Sequence, residues 1–164
     1  MEIKEIIEFA KQAELDGKAL YEQELAKTED PGLRKILKML IEAEENHYDY
    51  FDSLEDGDSD VEIQSTSLKG VKNIFQEMKE DGETIITSSD HIDFYEKVLG
   101  IEEKAENFYR DAAESVLKQK VKDAILKIAD EEHRHVIMTK SFIDMVRNPS
   151  QWVENAEFNN MDDY

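Results

Sequence analysis

Two short stretches, Glu44-Glu45-Asn46-His47 and Glu132-His133-Arg134-His135, share one pattern: a glutamate followed three residues later by a histidine. On a helix, positions three apart lie on the same face. A carboxylate and an imidazole so placed can ligate one metal ion or bridge two neighbouring ions. Both pairs interrupt runs of apolar residues at helical spacing, where an unpaired charge would be costly to bury. The second interrupts Val121, Ile125, Ile128, Thr139, Phe142 and Val146; the first follows Leu33, Leu37 and Leu40 and precedes Phe51 and Leu54.

Four amphipathic helices are predicted to carry these residues. The first spans about 3–26, with a seam at Ile3, Ile7, Ala10, Glu14, Gly17, Tyr21 and Leu25. Asp30-Pro31 reads as an N-cap followed by proline at the first helical position, and opens a second helix reaching about Leu54. The third follows the capping cluster Ser88-Ser89-Asp90 and carries Tyr95, Leu99, Glu102, Tyr109, Ala113 and Val116. The fourth stops near Asn148-Pro149; no Gly or Pro marks where it parts from the third, between Ser115 and Gln119. The connection from about Glu55 to Thr87 begins with an acidic run, 55–60, that lacks the glycine and later ligands of a calcium loop and reads as solvated. Leu68, Val71, Phe75 and Met78 suggest a short amphipathic helix within it. The expected fold is therefore all-α: a four-helix bundle over 1–148 whose two short-loop helix pairs are joined by one long crossover, the ferritin-like topology. Residues 149–164 would form a C-terminal tail packed on the bundle or on a partner chain.

An internal offset of 88 residues relates the two pairs, carrying Glu14, Tyr21, Glu44 and His47 onto Glu102, Tyr109, Glu132 and His135. Leu33, Leu37 and Leu40 fall on Val121, Ile125 and Ile128. Four glutamates (Glu14, Glu44, Glu102, Glu132) and two histidines (His47, His135) are thereby expected in the core. This is the ligand set of di-iron or di-manganese carboxylate bundles. Four carboxylates carry about −4, which two divalent ions would balance. Without metal, mutual repulsion would force some of them to hold protons.

The neighbours of these residues have subsidiary readings. Tyr21 and Tyr109 are core aromatics with hydrogen-bonded hydroxyls, or partners that steady ligand carboxylates, or redox-active groups. Glu106, one turn beyond Glu102, is a candidate extra ligand, and Glu131 a candidate acceptor for a histidine. His133 is out of phase with His135 and should face solvent; His91 reads as a surface residue. No His-Glu-x-x-His occurs, which argues against zinc-protease chemistry.

Composition narrows the function classes. Acidic residues outnumber basic ones 40 to 20, for a net charge of −20. Such a surface repels nucleic acid and anionic membranes, so neither is an expected partner. The absence of cysteine excludes disulfides, thiolate metal sites, iron–sulfur clusters and cysteine nucleophiles. Met1–Glu5 lacks the apolar core of a signal peptide and no run approaches a membrane span, so a cytoplasmic protein is expected.

The combined pattern of Glu14…Tyr21, Glu44-x-x-His47, Glu102…Tyr109 and Glu132-x-x-His135 resembles the rubrerythrin branch of the ferritin-like superfamily over about residues 1–147, and the stretch Trp152–Phe158 is similar to rubrerythrin-like tails. The resemblance implies a non-haem centre of two iron ions, with manganese or mixed metals as alternatives, held by Glu14, Glu44, His47, Glu102, Glu132 and His135. It implies reaction with hydrogen peroxide or oxygen, and a small oligomer, a homodimer, is expected. Rubrerythrins also carry a cysteine-bound rubredoxin site. This chain has no cysteine, so electrons would come from a separate carrier such as a rubredoxin. Ala105 stands three residues after Glu102, where a rubrerythrin has a further glutamate that allows a ligand switch. The rival expectations are ferritin-like iron oxidation and storage, manganese catalase chemistry, and a metal-stabilised bundle with no turnover.

Overall fold

A computed structural model describes residues 2–55 and 89–148. They form four helices and, among the described residues, no strand: α1 (Ile3–Lys27), α2 (Pro31–Glu55), α3 (Ser89–Ser115) and α4 (Gln119–Arg147). The expected short helix around 68–78, most of the acidic run and the tail lie outside the described residues.

Local chemistry sets the helix ends. The backbone N–H of Glu2 donates to Glu5 Oε2 at 2.9 Å, occupying a donor that the first turn of α1 leaves free. At the other end, Arg34 Nη1 donates to the carbonyls of Leu25 (2.8 Å) and Thr28 (2.9 Å), which the finished helix cannot satisfy internally. Asp30 Oδ1 accepts the Leu33 N–H at 2.8 Å, with Pro31 at the first helical position, as the Asp-Pro pair predicts. The boundary between α3 and α4 is a three-residue break, 116–118, within the range left open by the sequence.

The helices pack as two hairpins, α1 with α2 and α3 with α4. Ion pairs line each hairpin: Lys11 with Asp52 and Glu55, and Lys18 with Glu45, in the first; Arg110 with Asp130, Lys140 with Glu103, and Arg147 with Glu96 in the second. Such surface pairs contribute little each. What joins the hairpins is a core in two apolar parts. One contains Tyr21, Leu33, Ile36, Leu37, Leu40, Tyr95, Val98, Met138, Phe142 and Val146. The other contains Ile6, Ile7, Ala10, Phe51, Leu54, Tyr109, Ala113, Ile125 and Ile128.

Membership of these two parts fixes the directions of the helices. α1 passes from the second part to the first, α2 and α3 from the first to the second, and α4 from the second to the first. Consecutive helices α2 and α3 therefore run the same way. The end of α2 and the start of α3 therefore lie at opposite ends of the bundle, roughly 35–40 Å apart for a helix of 25 residues at 1.5 Å per residue. The antiparallel pairs α1–α2 and α3–α4 need only the three residues each connection has. In every helix the changeover between apolar parts falls at the polar residues singled out above. No described helix is long and apolar enough to cross a membrane.

Candidate metal centre

Between the two apolar parts, all six predicted ligands are buried: Glu14, Glu44, His47, Glu102, Glu132 and His135 are each at most 5% exposed. They form two groups, Glu14–His47–Glu132 and Glu44–Glu102–His135, within each of which the potential ligand atoms lie within 4.8 Å of one another. Each Glu-x-x-His motif is split. Its histidine belongs to one group and its glutamate to the other, so each group draws on three different helices. Exchanging each residue with its counterpart 88 positions away turns one group into the other.

Glu132 spans both groups. Its Oε1 lies 3.2 Å from His47 Nδ1 and its Oε2 lies 3.4 Å from His135 Nδ1. Glu14 Oε2 is 3.3 Å from the same His47 nitrogen, and Glu102 Oε2 is 3.5 Å from His135 Nδ1. The rings of His47 and His135 stack with centroids 5.4 Å apart. Glu44 approaches from the remaining side, its Oε1 4.0 Å from His135 Nδ1.

The tyrosines hold the outer oxygens, and they do so crosswise. Tyr109 on α3 donates to Glu14 Oε1 on α1 at 2.6 Å, and Tyr21 on α1 donates to Glu102 Oε1 on α3. Burial, reinforced by the adjacent carboxylates, pushes both phenols well above their ordinary range, so they remain donors. Each hydroxyl fixes the carboxylate of the other hairpin, which neither i+7 spacing nor the repeat could reveal.

The donor set fits metal ions on three counts. Hard carboxylate oxygens with two imidazoles suit divalent iron or manganese. Both ring nitrogens of His47 are buried without a hydrogen-bond partner, although two carboxylate oxygens face Nδ1. That arrangement suits an ion placed among the three. Finally, Gly17 clears the way for Glu44: a Cβ at position 17 would lie 2.9 Å from Glu44 Oε2. A glycine inside a helix costs about 1 kcal/mol relative to alanine, and its place three residues after Glu14 is the signal in the sequence for this close approach.

Protonation reports the same crowding. Burial, and then repulsion from Glu14, Glu102 and Glu132, raises Glu44 well above the ordinary carboxylate range; burial raises Glu102 as well. Burial opposes charge on the histidines, but the facing carboxylates outweigh it. Glu132 and Glu14 raise His47 well above its usual value, and Glu102 and Glu132 push His135 up to about 9. Glu14 and Glu132 are lowered, because the attraction of the histidines outweighs their burial. Protons thus supply the positive charge that metal ions would otherwise bring.

The subsidiary candidates fall elsewhere. Glu106 belongs to neither group: Arg110 Nε donates to its Oε1 at 2.9 Å, and its Oε2 lies 3.1 Å from His133 Nδ1. The structure does not bring Glu106, expected as a possible extra ligand, to either group. The four-residue step from Glu102 carries Glu106 to the flank of α3, where Arg110 and His133 engage both oxygens. His133 is 40% exposed in its side chain, out of phase with His135 as expected. Glu131 is buried, with Arg134 Nε 3.7 Å from its Oε1. His91 is half-buried and outside both groups.

A cleft of about 340 Å³ opens between α1 and α3 and reaches the cluster. All four of these carboxylates line it and neither histidine does; Phe9, Ala13, Gly17, Ile101, Ala105 and Phe108 form most of its walls, with Lys104, Tyr21 and Tyr109 also lining it. Phe9 and Ile101 stand exposed at the mouth. Periodicity alone did not reveal this cleft, since it arises where small residues on two helices face each other. Comparison with protein-family models, curated proteins and solved structures returned no match.

Two outcomes are expected. Manganese titrated into the chain should saturate at about two ions per chain, by elemental analysis after desalting. Glu44→Ala, His135→Ala and Gly17→Ala should lower that number, whereas His133→Ala should not. Tyr21→Phe or Tyr109→Phe should weaken affinity roughly 10–100-fold, the usual effect of removing a group that orients a ligand. Equal loss at His133 and His135 would contradict the assigned helix phase.

The second concerns pH. With chelator present, the raised histidines stabilise the fold below their unfolded value of about 6.5, and that contribution is lost as pH rises through the folded values, about 9 for His135. Glu44 and Glu102, also raised, act in the same direction. The gain from the lowered Glu14 and Glu132 is complete above about pH 4.5 and does not offset this loss. The Tm of the metal-free chain should therefore fall between pH 6.5 and 9, and saturating Mn²⁺ should reduce the fall. A metal-free Tm that is flat or rising over that window would contradict the charge assignment.

Proposed function

We propose that the protein is a non-haem di-iron oxidoreductase that reduces hydrogen peroxide or oxygen with electrons from a separate carrier, within the rubrerythrin branch of the ferritin-like superfamily and without a rubredoxin site of its own. In this reading the connection between α2 and α3 contains a short helix. Two iron ions would be held by Glu14, Glu44, His47, Glu102, Glu132 and His135. When bound, they would supply two electrons to an O–O bond.

The approach to the cluster carries the most weight. The cleft meets the four carboxylates and avoids both histidines. A small oxidant entering it arrives on the face where carboxylates can shift, while the imidazoles stay packed between α2 and α4. Tyr21 and Tyr109 keep Glu102 and Glu14 oriented as their charge changes.

One observation favours iron handling as a second reading. A depression of about 400 Å³ between α1 and α2 also reaches Glu14 and Glu44, and is bordered by Lys18, Glu45, Tyr48 and Asp49. Its acidic rim would attract Fe²⁺ as a substrate. Storage would also require a large closed shell.

Stopped-flow mixing of the anaerobic ferrous protein with each oxidant tests the choice. Peroxide should oxidise it faster than oxygen does, in a single cycle unless a carrier and its reductase are added. Sustained turnover with peroxide alone would point to catalase chemistry. Rapid oxidation by oxygen with mineral growth in a large particle would favour storage, and no reaction at full iron occupancy would leave a structural metal bundle.

A further inference from the structure

The cleft is much larger than hydrogen peroxide needs. Its volume of about 340 Å³ falls within the range of small-molecule sites, roughly 300–1,000 Å³. Hydrogen peroxide is comparable to two waters, each about 30 Å³ in the liquid. The walls are also unsuited to water and peroxide alone. Phe9 and Phe108 touch across the α1–α3 gap with ring centroids 4.4 Å apart, and Ala13, Ile101 and Ala105 complete an apolar lining. Phe9 is 55% exposed, so an aromatic ring at the mouth faces water. The exposed Lys104 also borders the cleft, and the carboxylates of Glu14, Glu44, Glu102 and Glu132 gather at its floor beside Tyr21 and Tyr109. A hydrophobic passage ending in a small polar cluster matches a ligand with an apolar body and one reactive polar end.

We propose that the α1–α3 cleft binds the hydrocarbon part of an organic hydroperoxide, directing its O–O group to the carboxylate floor. This rests on the di-iron reading for its redox half and deepens it by naming the substrate class. The O–O bond breaks. The alkyl-bearing oxygen leaves as an alcohol and the terminal oxygen as water. Two electrons would be supplied by a reduced metal pair held there, restored by two deliveries from a one-electron carrier, and two protons come from solvent. The chain's contribution is positional: Phe9, Ile101 and Phe108 hold the hydrocarbon, and the small residues Ala13, Gly17 and Ala105 leave room for it.

The test separates binding from turnover. Zinc-loaded protein, which cannot change oxidation state, is titrated with 2-phenyl-2-propanol, the alcohol product of cumene hydroperoxide, and binding is followed by ligand-observed NMR. Saturable binding with a Kd on the order of 1 mM is expected for a ligand of this size. Ala13→Leu and Ala105→Leu each reduce the space, and each should weaken binding at least tenfold; either one, if folded and metal-loaded, suffices. In the ferrous protein the same variants should lower the rate ratio of cumene hydroperoxide to hydrogen peroxide by a similar factor. No saturable binding to the parent chain would overturn the proposal. So would binding indifferent to both substitutions, or a dimer in sedimentation that covers Phe9 and Ile101 and excludes the alcohol. Alcohol binding with no reaction towards either peroxide would instead overturn the di-iron reading, and the hydroperoxide assignment with it.

Discussion

Four carboxylates meet in the middle of an apolar bundle, and their mutual repulsion constrains everything around them. Charge of one sign at that density cannot persist in a low-dielectric interior without compensation. Two imidazoles, protons on Glu44 and Glu102, or divalent ions can each provide it, and the arrangement of His47 and His135 between carboxylate pairs suits all three. The choice among them links metal occupancy to protonation and both to stability, because the unfolded chain offers no such cluster.

The bundle is organised to hold that cluster still. Apolar packing lies on both sides along the helix axes, with Leu37, Tyr95 and Phe142 in one part and Ile6, Phe51 and Ile128 in the other. Each ligand group takes two residues from one hairpin and one from the other, and each tyrosine steadies a glutamate of the opposite hairpin. Separation of the hairpins would break both groups at once. Cohesion between the hairpins therefore comes from these polar groups as well as from the two apolar parts of the core, while the surface ion pairs act mainly within hairpins.

Much of this was legible in the sequence, for identifiable reasons. Helical periodicity placed Glu14, Glu44, Glu102 and Glu132 on the core face, and Asp30-Pro31 marked the start of α2 because its geometry is local. The offset of 88 residues picked out the six residues of the two buried groups without any knowledge of their contacts. What periodicity cannot express is which residue lies across from which. It could not show that Glu44 groups with His135 instead of His47, or that Tyr21 reaches Glu102. Nor could it show that Glu106 is engaged by Arg110 and His133. The cleft was hidden for the same reason, being made by Ala13, Gly17 and Ala105 on separate helices. The turn at 116–118 was indistinct because it uses neither Gly nor Pro, and Leu117 stands fully exposed in it.

The two mirrored groups would each hold a metal ion, and Glu132, whose two oxygens face His47 and His135, would be common to both. Electron paramagnetic resonance of the chain titrated with Mn²⁺ addresses this directly, since a bridging carboxylate couples the two spins. At two equivalents, the spectrum should be that of an exchange-coupled pair, and Glu132→Gln should convert it to weaker signals of uncoupled ions. A six-line spectrum of isolated Mn²⁺ at full occupancy in the parent chain would contradict the account.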